Sequence, residues 1–230
     1  EAEAIETLAQ HLITKPVFDA LFKGSRFTEE NHVSRAMEIV LGQLHEHNLA
    51  KESESLAKFY ASVERRAADV VTAHGRQELI LKLYDSFFKG AFPVLTQRLG
   101  IVYTPVEVVD FILHSVNDVL KSQFGQTLGS EGVHILDPFV GTGTFITRLL
   151  QSGLIAPEEL AHKYREEIHA NEIVLLAYYI AAINIETVYD EMRQGELRND
   201  TPYEPFEGIL LTDTFQMYEQ STLFGRTRER

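Results

Sequence analysis

Cysteine is absent from all 230 residues, which excludes a disulfide framework and a thiolate-bound metal alike; no metal site is expected. No run of about 18 apolar residues occurs, so a membrane span is not expected. The opening Glu1-Ala-Glu-Ala lacks the basic-then-apolar layout of a signal peptide, and a cytoplasmic protein is the simplest reading. That acidic start resembles a domain cut from something longer. Positive charge is scarce as well: 21 Lys and Arg face 34 Asp and Glu, for a net charge of −13. The deficit is uneven, with 12 basic against 14 acidic residues in 1–100 and 9 against 20 in 101–230. A duplex-binding surface needs clustered Lys and Arg to displace counterions. If the protein acts on DNA, most of the basic surface is therefore expected outside this chain. Internal repeats and low-complexity segments are also missing.

What is present divides at a joint near 90–100, marked by Gly90, Pro93 and Gly100. Residues 1–92 carry apolar positions at three- and four-residue spacing and no strand-like alternation, which predicts an all-α module. Two short helices are expected, one through Ile5, Leu8 and Leu12 and one over Pro16–Phe22, then a longer one beginning at Asn31 or Ser34 and running to Leu44. Further helices are expected over 56–71 and 78–88. Residues 93–230 alternate differently. Thr104-Pro105 predicts a helix over 106–120, with a hydroxyl cap and proline in the first turn. A loop at 125–132, a strand at 134–137 and a helix at 143–152 follow. A short helix at 157–164, a strand at 167–172, an apolar helix at 173–190 and a strand at 208–213 complete the order. Strand–helix–strand repetition implies a parallel sheet with right-handed crossovers, an open α/β fold. The apolar helix is expected in the core, so Tyr178 and Tyr179 need only packing to explain them.

The motif with chemical content is Leu136-Asp-Pro-Phe-Val-Gly-Thr-Gly-Thr-Phe145. An acidic residue closes a strand and two glycines open a helix, so backbone can approach a ligand and the helix points free N–H groups at it. Asp137 suits a ligand carrying positive charge, and this favours S-adenosylmethionine over a phosphate-bearing dinucleotide. The third glycine of the dinucleotide fingerprint is replaced by Ile146. The gap from Gly143 to Glu172 also exceeds the ~20 residues of that fold, with 153–164 as an insertion. Ligands of parallel sheets gather at the carboxyl ends of the strands, where Asp137, Glu172 and Asp213 fall. Asp137 is expected at the methionine ammonium and Glu172 at the ribose hydroxyls. Asp213 is expected at the adenine amine, with Phe215 or Ile173 on the ring face. Any one of these acids alone would pass as a helix cap. Replacing Asp137 or Glu172 by alanine is expected to weaken binding without unfolding the chain. His45 and His47, two apart, are expected at the surface, His169 as an ordinary strand residue, and 226–230 as a solvated basic tail.

On these residues the chain resembles the amino-methyltransferases that act on adenine N6 in DNA. The glycine motif is similar to that family's cofactor motif, and Tyr103-Thr-Pro-Val-Glu-Val-Val-Asp-Phe111 to the motif before it. His169-Ala-Asn-Glu-Ile173 and Leu211-Thr-Asp-Thr-Phe215 resemble its second and third motifs. The resemblance covers about 100–215 and implies a Rossmann-like, mostly parallel sheet binding S-adenosylmethionine. It implies a cofactor set of Tyr103, Thr104, Pro105, Asp137, Pro138, Phe139, Gly141, Gly143, Phe145, Glu172, Ile173, Asp213 and Phe215, with the first three on the methionine side. The helical part is similar, at 11–22 and Asn31-His-Val-Ser-Arg-Ala-Met37, to the coupler of single-chain Type ISP restriction–modification enzymes. There a coupler joins a DNA translocase to the methyltransferase, so DNA, a translocase or nuclease and a target-recognition domain are implied partners. A Type I modification subunit or a free-standing methylase is the rival assignment. The family's catalytic Asn-Pro-Pro-Tyr or Asp-Pro-Pro-Tyr does not occur here. Thr201-Pro-Tyr203 lies before the third strand, so no catalytic residue is expected in this chain. It is expected to bind the cofactor without transferring a methyl group. An interaction scaffold with a vestigial site, or a piece of a protein-glutamine or RNA methyltransferase, remain alternatives.

Overall fold

Asn31 decides where the longer helix of the first unit begins. Its side-chain Oδ1 accepts the N–H groups of Val33 and Ser34, both at 3.1 Å, and so satisfies two donors that the first turn of a helix leaves open. In the computed structural model, which describes residues 2–21, 27–44, 61, 65, 104–194 and 203–215, the chain divides into two compact units, 1–103 and 104–230. The first unit contains α1 (Ala2–Leu21), α2 (Phe27–Glu30) and α3 (His32–Leu44). The expected pair of short helices is one helix, with Pro16 inside it. Proline removes one backbone hydrogen bond and crowds the carbonyl four residues back. The face Gln10, His11, Thr14, Val17 and Phe18 is nonetheless buried as one stripe, and this packing carries the helix through. His11 Nε2 meets Glu38 Oε1 at 3.0 Å, and Phe18 meets Phe27 with ring centroids 5.9 Å apart. The helices expected over 56–71 and 78–88, the joint at 90–100 and Tyr103 lie outside the described residues, apart from helical Ala61 and Arg65.

The second unit begins with α4 (Val106–Phe124) and continues through β1 (Ile135–Asp137), α5 (Thr144–Gln151) and α6 (Pro157–His162). A π-helical turn at Lys163–Glu167 leads into β2 (Ile168–Glu172), and α7 (Leu175–Gln194) and β3 (Ile209–Leu211) follow. Glu167, expected to open the second strand, instead closes that turn. The start of α4 also differs from expectation. Pro105, at φ −55° and ψ 140°, is the cap residue itself, and no side chain caps the helix. Its carbonyl accepts the Val108 and Val109 N–H groups at 3.0 and 3.1 Å. Val106 is the first helical residue, as expected, but with Pro105 in the cap place the Thr104 hydroxyl stands one residue too early to cap it.

The sheet is parallel throughout, in the order β1–β2–β3. Asp137 lies opposite Ala170 and Glu172 opposite Leu211, so β2 and β3 end level and both run two residues beyond β1 toward the carboxyl edge. Helix α7 is buried almost continuously from Leu175 to Ile185, including Tyr178 and Tyr179, and supplies the core beneath the sheet. Helix α4 packs on α5 through buried Val109 and Leu113. Asp110 adds a two-pronged pair with Arg148, at 2.8 and 2.7 Å. The loop before β1 is held from inside by fully buried Lys163, whose Nζ donates to the Ser130 and Val133 carbonyls at 2.6 and 2.7 Å and pairs with Glu167.

Candidate functional site

The two glycines of the turn do different work. Gly141, at φ +57°, has open space where a Cβ would stand, and its N–H donates to Glu172 Oε2 at 2.9 Å. Gly143, at φ +85°, faces α7: an added Cβ would stand 3.3 Å from the Ala181 backbone and from Ile185. Its lack of a side chain lets helix α7 approach the turn, whereas only Gly141 leaves room for a ligand. The turn is pinned further by Val140 N–H to the Asn171 carbonyl at 3.0 Å and by Asn184 Nδ2 to the Thr142 carbonyl at 3.0 Å.

The three strand-end acids lie where the sequence predicts, and each holds the backbone that follows it. Asp137 Oδ1 accepts the Phe139 N–H at 3.2 Å, and Asp213 Oδ1 accepts the Phe215 N–H at 2.9 Å. These are twin turns, each an Asp-x-Phe, closing β1 and β3. Glu172 Oε1 accepts the N–H groups of Ile173 and Val174 at 2.9 and 2.8 Å, while its other oxygen takes Gly141. Each acid thus holds local backbone, but in a turn and not as the helix cap that one acid alone would suggest: Gly143 caps α5, and α7 begins only at Leu175. Asp137 differs in one respect: its Oδ2 is buried and has no hydrogen-bond partner.

The electrostatics follow from this arrangement. Burial pushes the Asp137 carboxyl above the usual aspartate range, against the Phe139 N–H, which lowers it. Burial likewise raises Glu172, opposed by its three backbone N–H groups and reinforced by the charge of Asp137. Among the described residues no Lys or Arg pairs with either carboxylate. Two partly desolvated acids without a counter-cation make a place where an added positive charge is welcome. Around them Phe139, Ile173 and Phe215 remain 62%, 54% and 82% exposed, an apolar rim on which a flat ring can lie.

Pro138 sits between Asp137 and Phe139 and is half-buried, as is Phe145 in the first turn of α5. Thr104 and Pro105 are exposed at the start of α4, and among the described residues neither hydrogen-bonds to the glycine turn. The expected mutational behaviour of Glu172 changes: alanine there strips the acceptor from three N–H groups, each costing about 1–3 kcal/mol when left unpaired. Loss of folding stability as well as of binding is therefore the expected outcome for Glu172→Ala, read as a lowered melting temperature. Asn171, Thr214 and Asn184 were not singled out by sequence, although Asn171 and Thr214 stand inside the second and third motifs. His169 is a strand residue as expected. Its Nε2 lies 2.9 Å from His134 Nδ1, ahead of β1.

Residues 1–75 match the family model of the Type ISP restriction–modification enzyme coupler domain. Solved structures extend the likeness over almost the whole chain. The chain is similar to the ATP-dependent Type ISP restriction–modification enzyme LlaBIII bound to DNA, with 53% identity over 93% of this chain and 14% of that one and a TM-score of 0.82. It is also similar to a nuclease-deletion mutant of the Type ISP enzyme LlaGI in complex with a DNA substrate mimic: 50% identity, 97% and 18% coverage, TM-score 0.82. For a DrdV–DNA complex the figures are 34% identity, 92% and 20% coverage and a TM-score of 0.77. The chain thus spans between 14% and 20% of the length of these structures. A comparison with curated proteins gave no match. No helix among the described residues is long and apolar enough to cross a membrane.

Proposed function

We propose that residues 104–215 are the cofactor half of a DNA adenine-N6 methyltransferase in a Type ISP-like restriction–modification enzyme, and that this half binds S-adenosylmethionine. The observation that carries the reading is the buried, unpartnered Oδ2 of Asp137 beside a glycine whose missing side chain leaves open space. The cofactor brings two positive charges, an ammonium and a sulfonium, and a methyl group activated by the latter. Asp137 would hold the ammonium through Oδ2, and Gly141 lets that end approach the backbone. Phe139, Ile173 and Phe215 offer apolar contact to adenine. Glu172 positions the turn first, through Gly141, and keeps one acceptor site on Oε2 for a ribose hydroxyl. DNA, translocase or nuclease and target-recognition regions are proposed as partners in the full enzyme, by likeness to the DNA-bound relatives. Methyl transfer needs an adenine amine held beside the sulfonium. With no Asn-Pro-Pro-Tyr or Asp-Pro-Pro-Tyr, this chain by itself is expected to bind without transferring.

A second reading has one observation in its favour. The acid expected at the ribose spends both oxygens on backbone N–H groups, which suits a scaffold with a vestigial site. Titration calorimetry of the 230-residue chain with S-adenosylmethionine separates the two. Binding that Asp137→Ala weakens roughly 10- to 100-fold, the worth of one charged hydrogen bond, supports the cofactor site. No heat and no melting shift at millimolar ligand supports the scaffold.

A further inference from the structure

Two residues without a role in that reading tie its two ends together. The Thr214 hydroxyl donates to the Pro138 carbonyl at 2.7 Å, in the turn after β1. The same hydroxyl stands 3.3 Å from the side-chain Nδ2 of Asn171, in β2. A hydroxyl has a single proton, so with that proton on Pro138 it must accept from Asn171; the directions are fixed. Asn171 thus holds the β1 turn with its main chain, through Val140 N–H, and the loop after β3 with its side chain.

Strand pairing does not account for this bridge. The β2–β3 ladder ends at Glu172 and Leu211, with Thr212 N–H still on the Glu172 carbonyl at 2.8 Å. Burial does not account for it either. Thr214 is followed by Phe215, which meets Phe139 with centroids 5.5 Å apart and planes 33° apart. Both rings are largely exposed, so little apolar area is gained by bringing them together. The hydroxyl path crosses from the third strand to the first, over the end of the second, and it fixes where Phe215 stands relative to Phe139.

We propose that Asn171 and Thr214 are positioning residues that lock the loop after β3 onto the turn after β1, so that a ligand spanning both meets a preformed two-ended site. This rests on the cofactor reading, in which the β1 turn takes the methionine end and the loop after β3 the adenine end. Pre-arranged ends spare the ligand the cost of ordering the loop.

The test is calorimetry of the 230-residue chain with two probes, S-adenosylmethionine and 5′-methylthioadenosine, which lacks the methionine end. Thr214→Val removes donor and acceptor at constant shape; Thr214→Ser keeps both. The lock predicts that Thr214→Val weakens S-adenosylmethionine about tenfold and 5′-methylthioadenosine less than about threefold, with Thr214→Ser within about twofold of the parent for both. Equal losses for the two probes, no loss, or no rescue by serine overturns it. If the parent chain binds neither probe, the cofactor reading fails and the lock is judged by amide hydrogen exchange. Faster exchange at Val140 and Phe215 in Thr214→Val but not in Thr214→Ser upholds the lock, and unchanged exchange overturns it.

Discussion

Asp137 shows how two roles share one side chain. One oxygen closes a local turn, which any strand-end aspartate can do, while the other is shut away from water with nothing to bond. Because burial raises its pKa, the free protein protonates Asp137 above the ordinary aspartate value, and a bound cation draws it back to the ionised form. Ligand affinity is therefore expected to fall as the pH drops, beginning above the normal aspartate range, with net proton release on binding on the acid side. Calorimetry in buffers of different ionisation heat measures that release, and Asp137→Asn is expected to abolish most of it. Glu172, raised in the same direction, contributes what remains. At this scale the sequence was a good guide wherever a residue's neighbours are local. The glycine turn and the strand-end place of Asp137 are readable from a few neighbouring residues, whereas the twin Asp-x-Phe turns stood in the sequence only as possible helix caps. Asn171 and Thr214 escaped because Pro138, the group they serve, is fixed by the register of three strands. Gly143 was legible as a glycine but not for its reason, since the α7 residues it faces, Ala181 and Ile185, lie 38 or more positions further along.

At the scale of elements, packing overruled local rules in two places. Pro16 forecast a break that the buried stripe of α1 spans, and the Thr104 cap was lost because Pro105 takes the cap place. The strands and helices of the second unit were legible because short apolar runs alternate with helical spacing and turn residues. The segment before β3 was not. Its anchor is Glu186 of α7, buried, which accepts the Tyr203 hydroxyl at 2.5 Å and the Phe206 N–H at 3.0 Å. Burial pushes this carboxyl up to about 7, against both hydrogen bonds. A folded-state pKa above the unfolded one means that its stabilising contribution is full below about 4.5 and is lost as the pH rises through about 7. The full swing is on the order of 3 kcal/mol. Thermal melts from pH 5 to pH 8 are expected to show this fall in the parent chain and a flatter profile in Glu186→Gln. An unchanged slope in the variant places the pH dependence elsewhere.

At the scale of the whole molecule, charge and coverage agree. A net charge of −13 leaves little surface for phosphates, and the chain spans at most 20% of the DNA-bound structures it matches. The proposed division of labour gives this piece the cofactor and leaves the duplex to other parts of the enzyme. The coupler match over 1–75 was legible in two short segments, whereas nothing in the helical pattern alone spoke of function. S-adenosylmethionine is proposed to sit at the carboxyl edge of β1–β3. Amide NMR of the labelled chain during titration with S-adenosylmethionine tests binding and place together. The account predicts saturable shifts concentrated at 137–145, 172–174 and 213–215. No shifts at millimolar ligand, or shifts confined to residues away from those strand ends, would contradict it.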